Sequence, residues 1–277
     1  MAISIGGVRM SDLSPDKRKE IKNARIKTEA IKDPEEEFME RGKITVTEVI
    51  EKAEGNHNNP YRVKVRGDNR IIEAVFKPCG ENHGINCRCS KERATYLVDR
   101  ILGFNIVPTT VIREAVDQRF DLDDIGSLQA YDYGEVADNA HLDDNEDSMM
   151  ILRIFDYITW NYDRHDWNYL VKSDGAIVAI DNESSFGTTD NSWARQEIIT
   201  DLENVAGKQL PKKIVEIFEN FERDPRIRIK LKKNLKELLD NEAIDAAITR
   251  LGKIAQFIIK TEKIPIDEHL LRTLEYK

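Results

Sequence analysis

Short apolar runs typical of β-strands fill the first half of the chain, whereas helical patterns dominate its last third. The strand-like runs include Arg70 to Pro78, Val107 to Ala115 and Ile125 to Tyr131. From Gln196 onward, segments such as KIVEIFENF and LKKNLKELL space their apolar residues as amphipathic helices do. Strands early and helices late predict an α+β fold.

Two further helices are predicted before Gln196. Met149 to Trp160 (MMILRIFDYITW) is apolar enough for a largely buried helix that ends near Asn161. The other helix runs from Ser90 to Gly103, because Ser90 is a good N-cap residue and glycine commonly ends a helix. Its apolar residues form one stripe, so one face of this helix is expected to be buried.

A β-hairpin after the buried helix brings two oxygen-bearing side chains together. Tyr169 to Val171 and Ala176 to Ile180 are short strands joined by a turn with an Asp-Gly pair, a strong hairpin signal. The hairpin places Asn168, just before its first strand, beside Asp181, just after its second. Amide and carboxylate oxygens that converge in this way suit a hard cation such as Mg²⁺.

Asp163 adds a second carboxylate, in the polar loop that precedes the hairpin. It lies five residues before Asn168, and Asp181 lies thirteen residues after Asn168. Phosphoryl transfer from ATP needs a carboxylate to orient the attacking group and oxygen ligands to hold Mg²⁺ against the phosphates. Taken singly, each of these residues would also fit an ordinary turn or cap. The spacing and the hairpin together favour an active site.

The stretch D-R-H-x-x-N followed by I-D-N-x-x-S-F resembles the catalytic core of the phosphoinositide-kinase-like division of the protein-kinase-like superfamily. Actin-fragmin-kinase-like, Fam20-like and HipA-like kinases also belong to that division. The likeness extends upstream through VFKP and ERATYLVDRILGFNIVPTTVIRE, which is similar to uncharacterised prokaryotic proteins of this type. It covers roughly Ile44 to Gly187 and implies a bilobal protein-kinase-like fold, with a small β-rich N-lobe and a larger helical C-lobe.

The resemblance implies a role for each residue of the catalytic loop. Asp163 would orient the nucleophile or accept its proton, and Asn168 and Asp181 would hold Mg²⁺. His165 resembles the catalytic-loop histidine of the family, with charge stabilisation and simple packing as the two alternatives. Arg164 is expected to brace the loop.

A lysine and a glutamate upstream correspond to the phosphate-binding pair of the family. Lys77 ends the strand Arg70 to Pro78, in the position of the lysine that pairs with the α- and β-phosphates. Glu92, in the first turn of the predicted Ser90 to Gly103 helix, corresponds to the glutamate that holds this lysine. Without the downstream site, an edge-strand lysine and a glutamate favoured by the helix dipole would explain both residues.

The loop that would cover the phosphates departs from the protein-kinase pattern. It joins the predicted strands Ile44 to Lys52 and Tyr61 to Val65 and contains one glycine, so it is not the G-x-G-x-x-G loop of protein kinases. Gly55 and Asn56 are the candidate nucleotide-binding residues in it. A polar surface loop without any ligand is the alternative.

The predicted organisation is one bilobal unit behind a charged helical segment. The segment spans residues 1–43, the N-lobe with its hinge spans 44–134, and the C-lobe spans 135–277. The hinge is placed at Gln129 to Gly134, where Gln129 and Tyr131 are further candidate nucleotide-binding residues. Lobes that share one cleft account for a length of 277 residues.

Composition narrows the classes of partner. The net charge of −9 argues against a general binder of nucleic acid or of anionic membranes, although 40% hydrophobic residues support a substantial core. No apolar stretch approaches the roughly 18 residues of a membrane span, and no secretory apolar region follows Met1. A cytoplasmic protein is therefore expected.

All three cysteines of the chain lie close together in sequence, with one histidine among them. The four residues are Cys79, His83, Cys87 and Cys89. In a reducing compartment such a cluster favours tetrahedral Zn²⁺ over a disulfide. The spacing is not that of a standard zinc knuckle, so an ordinary set of thiols is the alternative.

The sequence thus predicts an ATP- and Mg²⁺-dependent phosphotransferase, with a protein hydroxyl preferred over a lipid as acceptor. A lipid or small-molecule kinase, a HipA-like toxin kinase, a nucleotidyl transferase and an ATP-binding pseudokinase are the alternatives. ATP and a protein acceptor of unknown identity are the expected partners.

Overall fold

The structure, a computed structural model, describes residues 33–50, 60–67, 69–80, 84–118, 122–136, 146–187 and 192–264. Within these ranges the helices are α1 Pro34–Arg41, α2 Arg88–Leu102, α3 Glu146–Thr159, α4 Ser192–Glu203, α5 Lys212–Arg223, α6 Pro225–Leu235 and α7 Asn241–Thr261. The strands are β1 Lys43–Val49, β2 Tyr61–Gly67, β3 Arg70–Pro78, β4 Thr110–Asp117, β5 Leu122–Ala130, β6 Glu135–Val136, β7 Tyr169–Val171 and β8 Ile177–Ala179.

The first part of the described chain forms an antiparallel sheet of five strands, in the order β1-β2-β3-β5-β4. The predicted strand from Arg70 to Pro78 is confirmed with these bounds as β3. Side chains alternate between the two faces of a strand. Because Ala74 and Phe76 are buried in the core of this lobe, Lys77 lies on the opposite face. That core consists of Met39, Val46, Val63, Val65, Ala74, Phe76, Val111, Ala115, Leu122 and Leu128.

The chain passes from the five-stranded sheet to the helical part shortly after β5. β5 ends at Ala130, and the next strand, β6, begins at Glu135 and pairs with β7 of a separate small sheet. β4 begins at Thr110, later than the predicted Val107. Pro108 has no backbone N–H to donate to a ladder, which explains the late start.

The part of the charged N-terminal segment that the structure describes forms helix α1, which packs against α2. Asp33 caps α1 by accepting a hydrogen bond from the backbone N–H of Glu35, and Pro34 occupies its first turn. Glu36 of this helix is buried and pairs with Arg93 at 2.6 Å. It also accepts from the Tyr96 hydroxyl at 2.8 Å. These contacts fasten α1 to α2.

Helix α2 begins earlier than the sequence predicts. Its N-cap is Cys87, whereas the Ser90 hydroxyl donates to the carbonyl of Gly84 and caps nothing. The prediction of Ser90 as N-cap is therefore wrong, and Glu92 lies in the second turn of the helix. The predicted end is confirmed, because Gly103 has a left-handed φ of 90° and its N–H donates to the Asp99 carbonyl.

The second part of the described chain is mainly helical and holds the larger core. Leu152, Ile154 and Phe155 of α3 are fully buried in this core. Apolar residues of α2 and of the helices from α4 onward join them. The strands β6, β7 and β8 form a small antiparallel sheet beside α3.

The structure confirms the predicted fold class. A small β-rich lobe carrying α1 and α2 is followed by a larger helical lobe, which is the bilobal, protein-kinase-like α+β arrangement. Among the described helices, not one combines the length and the apolar character that spanning a membrane requires.

Candidate active site

The centre of the candidate site is Lys77, near the end of β3. Its Nζ lies 2.5 Å from Glu92 Oε1 on α2 and 3.0 Å from Asp181 Oδ1 after β8. The Lys77 side chain is 17% exposed and the Asp181 side chain is 25% exposed, whereas Glu92 is buried. One cation thus joins both lobes, and its carboxylate partner from the C-lobe is partly exposed to solvent.

The charge of Lys77 is set by opposing effects. Burial on its own would lower the pKa of Lys77, but the carboxylates of Glu92 and Asp181 raise the pKa well above its ordinary value. The ammonium group is therefore charged at any physiological pH. A fixed cation shared between two anions is a suitable binding partner for phosphate oxygens.

The hairpin aligns Asn168 and Asp181 as the sequence predicts. Tyr169 pairs with Ala179, and the N–H of Ile180 donates to the Asn168 carbonyl at 3.2 Å. The predicted turn is confirmed, since the N–H of Lys172 donates to the Ala176 carbonyl across it. Asp181 is the residue after Ile180, so it lies beside Asn168 at the end of the hairpin.

Two local features orient the side-chain oxygen atoms of Asp181 and Asn168. Asp181 has a left-handed φ of 53°, a sparsely populated conformation that aspartate tolerates better than most residues. With the backbone in this conformation, the Asp181 carboxylate contacts Lys77. The side-chain amide of Asn168 donates to the Asp163 carbonyl at 2.7 Å, so Oδ1 is the amide atom that remains to bind a cation.

Arg164 holds its own loop, the hairpin and α3 together. Its guanidinium group pairs with Asp156 of α3 at 3.0 Å and donates to Asn182 Oδ1 at 2.6 Å. It also donates to the carbonyls of Asn168 and Ile180, at 2.5 and 2.6 Å. The Arg164 side chain is 0% exposed. The expected bracing role is therefore visible in the contacts.

Asp163 and His165 both lie on the exposed side of this loop. The N–H of Asp163 donates to Asn161 Oδ1, which fixes the backbone and leaves the carboxylate facing outward. His165 Nδ1 accepts from the backbone N–H of Trp167 at 3.3 Å. The contact that the structure gives to the His165 ring is therefore within the loop.

The four residues predicted to bind the nucleotide in the loop and the hinge differ in where they lie. Gly55 and Asn56 lie outside the described residues. Gln129 is buried within β5, where its amide donates to the Thr110 hydroxyl at 3.0 Å, so its side chain is engaged inside the sheet. The ring of Tyr131 lies under the guanidinium group of Arg62, at 4.3 Å. Both residues were expected in a hinge that begins at Gln129, but β5 includes Gln129 and ends at Ala130.

The cysteine cluster differs from the predicted set of four zinc ligands. Cys79 and Cys89 are joined by a disulfide, and Cys87 is a buried free thiol. His83 lies outside the described residues. The three sulfur atoms nevertheless meet at one place, because Cys79 follows β3 and the other two cysteines begin α2.

The sequence did not predict the two buried side chains that contact Arg164, namely Asp156 and Asn182. Asp156 is buried in α3, and Asn182 is fully buried directly after Asp181. Burial raises the pKa of Asp156, and the charge of Arg164 opposes that rise. The available signal was a lone carboxylate in the apolar run MMILRIFDYITW, since an unpaired charge is seldom buried.

The donor atoms that the hairpin collects fit Mg²⁺. This cation prefers oxygen ligands, and Asn168 and Asp181 offer one amide and one carboxylate. Lys77, 3.0 Å from that carboxylate, is placed to pair with phosphate bound to the same cation. The donors suit a magnesium–phosphate complex better than a soft metal.

Comparison with known proteins adds little. No family model matches the chain. No curated protein matches it either. Among solved structures, the crystal structure of a Helicobacter pylori proinflammatory kinase, CtkA, is similar with a TM-score of 0.40 and 13% sequence identity. That similarity covers 86% of this chain and 98% of the CtkA chain. A likeness this distant does not define the function of the chain.

Proposed function

We propose that this protein is an ATP- and Mg²⁺-dependent phosphotransferase whose acceptor is a hydroxyl group of a protein. The observation that carries the proposal is the position of Lys77, which contacts Glu92 of the N-lobe and Asp181 of the C-lobe at once. Phosphoryl transfer depends on positioning and on neutralising phosphate charge more than on covalent chemistry by the enzyme. Such a cation between the lobes supports that task.

In this proposal Lys77 binds phosphate oxygens of ATP, and Glu92 keeps its ammonium group in place. Asn168 Oδ1 and the Asp181 carboxylate would hold Mg²⁺. When bound, the cation neutralises charge on the phosphates and orients them. Glu92 is the better anchor because it is buried, whereas the more exposed Asp181 would exchange Lys77 for the metal.

Asp163 takes the role of orienting the acceptor hydroxyl and accepting its proton. Its carboxylate is exposed, so a macromolecular acceptor can approach it. The hydrogen bond from the Asn168 amide to the Asp163 carbonyl holds this residue beside the metal ligands. His165, which contacts its own loop, acts in this scheme as a positioning residue for the turn.

The charge of the protein favours a protein acceptor over an anionic lipid. A net charge of −9 opposes residence at an anionic membrane surface, where a lipid kinase must work. An exposed tryptophan, Trp167, lies in the same loop as Asp163 and offers apolar contact area to a polypeptide.

The test is transfer of label from γ-labelled ATP to proteins of a cell lysate. The proposal expects Mg²⁺-dependent labelling that disappears in Asp181→Asn and persists in Asp174→Asn, whose carboxylate caps the hairpin turn away from the site. A parallel reaction with α-labelled ATP separates the chemistries. Label transferred from the α position would indicate nucleotidyl transfer and overturn the proposal, as would full activity of Asp181→Asn.

A further inference from the structure

Three buried sulfur atoms converge at the junction between β3 and α2. The Sγ atom of Cys87 lies 3.2 Å from the sulfur of Cys79 and 3.2 Å from that of Cys89. The three residues are between 4% and 8% exposed and form a cluster of their own. A disulfide needs two sulfurs, so the position of Cys87 calls for a separate explanation.

The location of the cluster connects it to the candidate active site. Cys79 is two residues after Lys77, and Cys89 is three residues before Glu92. Lys77 and Glu92 are the residues whose ion pair joins β3 to α2. A bond or a metal at the cluster therefore sets the separation of the two elements at one end of that ion pair.

We propose that the reduced cluster is a zinc site in which Cys79, Cys87 and Cys89 are the ligands. Sulfur ligands of tetrahedral Zn²⁺ lie about 3.8 Å apart, given Zn–S bonds of about 2.3 Å. All three sulfurs already lie within 4.8 Å of one another. Small side-chain rotations are therefore enough to place them around one cation.

The start of α2 and a lysine side chain bring positive charge to the sulfur cluster. Cys87 is the N-cap of α2 and Cys89 lies in its first turn, where unpaired backbone N–H groups and the helix dipole stabilise anions. Lys91, whose backbone N–H donates to the Cys87 carbonyl, brings a positive charge to the same turn. A zinc ion with three thiolates carries one net negative charge, which these groups offset.

The disulfide and the metal site are alternative states of the same residues. Two molecules of a monothiol of the glutathione class reduce the Cys79–Cys89 disulfide, giving two cysteine thiols and one external disulfide. Zn²⁺ then replaces the protons of the three thiols, which pass to solvent. The fourth tetrahedral position is open to water, and the proposal rests on the three described ligands alone.

A consequence for nucleotide binding depends on the proposed function. If Lys77 binds ATP phosphates, fixing its position relative to Glu92 reduces the ordering that ligand binding must impose. Zinc-loaded protein should therefore bind Mg-ATP more tightly than reduced, metal-free protein. The metal content itself is independent of whether the protein binds ATP at all.

The experiment measures zinc in protein purified under a thiol reductant and without chelator. Mass spectrometry for metals should find about one equivalent per chain. Cys87→Ser is the decisive variant because it leaves the Cys79–Cys89 pair intact. Loss of zinc in Cys87→Ser as well as in Cys79→Ser supports the site. Thiolate-to-metal absorption bands after replacement with Co²⁺ should be weaker in Cys87→Ser than in the unsubstituted protein.

Two results would overturn the proposal. The first is reduced, folded protein with three freely titrating thiols that stays metal-free after dialysis against Zn²⁺. The second is Cys87→Ser that retains a full equivalent of zinc. If Cys87→Ser fails to fold, Cys87→Ala and the Co²⁺ spectrum of the unsubstituted protein supply the answer. Zinc without any ATP binding would uphold this site and count against the proposed function alone.

Discussion

The two groups of paired charges centred on Arg164 and on Lys77 are built in opposite ways. Arg164 is 0% exposed, and its guanidinium nitrogens donate to side chains and carbonyls of three neighbouring elements. Lys77 is 17% exposed and contacts two carboxylates, one of which, Asp181, is 25% exposed. The first group is closed to solvent and the second opens to it.

This difference separates a brace from a binding site. A guanidinium group whose donors are all engaged has nothing to offer a ligand, so Arg164 fixes the geometry of the loop and the hairpin. In the proposed function, Lys77 and Asp181 would exchange each other for phosphate and metal, so that neither charge loses a partner of opposite sign. Substitution of Asp181 should therefore mainly reduce activity, whereas substitution of Arg164 should mainly reduce stability.

The largest expected effect is on turnover, from Asp181→Asn. The substitution removes the charge of the proposed metal ligand and one of the two anions beside Lys77, so phosphoryl transfer should fall by a factor on the order of 10³ or more. Folding should be retained because Glu92 still pairs with Lys77. Kinase activity and thermal unfolding should be measured together, with Asp174→Asn as the control. A much lower unfolding temperature for Asp181→Asn would show instead that Asp181 stabilises the fold, as Arg164 does.

The reverse pattern is expected for Arg164→Met. Removing the arginine leaves Asp156 as an uncompensated buried charge, which should lower the free energy of unfolding by about 3–5 kcal/mol. Denaturant unfolding measures this change. Arg226→Met is a matched control, because Arg226 pairs with Asp224 at an exposed surface, where solvent screens the pair and its loss should change stability little. Equal losses in the two variants would contradict the distinction between them.

Asp163→Asn sharpens the comparison within the catalytic loop itself. The variant should bind Mg-ATP with near-normal affinity but lose phosphoryl transfer by a factor on the order of 10² or more, since the proposed partner of Asp163 is the acceptor hydroxyl. Stability should be unchanged, because the carboxylate is exposed. Asp166→Asn, an exposed neighbour in the loop, is the control. Full transfer activity in Asp163→Asn would place the base elsewhere.

The smallest effect concerns Asp99, a buried carboxylate that accepts from the backbone N–H of Ile106. Burial raises the pKa of Asp99 to about 7, and hydrogen bonds from nearby backbone N–H groups oppose that rise. Unfolded aspartate titrates near pH 3.9, so the folded state keeps a proton that the unfolded chain has released. The contribution of Asp99 to stability is thus full below about pH 4 and is lost as the pH rises through about 7.

For Asp99 the loss should amount to about 1 kcal/mol between about pH 6 and pH 8. Asp99→Asn should flatten this part of the pH profile of unfolding, whatever it does to the absolute stability. The measurement is denaturant unfolding of both proteins at several pH values. Parallel profiles for the two proteins would show that Asp99 is ionised when folded.

Local sequence signals predicted the part of the site that depends on neighbours in the chain. The strand that carries Lys77 was predicted with its observed bounds, and the hairpin turn was predicted from an Asp-Gly pair. Both follow from short-range rules of strand pattern and turn chemistry. The approach of Asn168 to Asp181 follows from that hairpin.

Contacts between distant segments were beyond such rules. Glu36 and Arg93 lie 57 positions apart, and nothing in the charged pattern of α1 shows that one of its glutamates is buried. The start of α2 was misplaced because Cys87 is not a usual N-cap residue, whereas Ser90 is. Gln129 was assigned to the hinge, but its partner Thr110 becomes a neighbour only when β4 pairs with β5.

The most direct test of the central claim is the Mg²⁺ dependence of nucleotide affinity. Titration calorimetry with a non-hydrolysable ATP analogue should show tighter binding in Mg²⁺ by about tenfold or more for the unsubstituted protein, and little effect of Mg²⁺ for Asp181→Asn. Lys77→Met should weaken binding under both conditions, because it removes a phosphate contact. Equal tightening by Mg²⁺ in the unsubstituted protein and in Asp181→Asn would contradict the assignment of Asp181 as metal ligand and, with it, the proposed site.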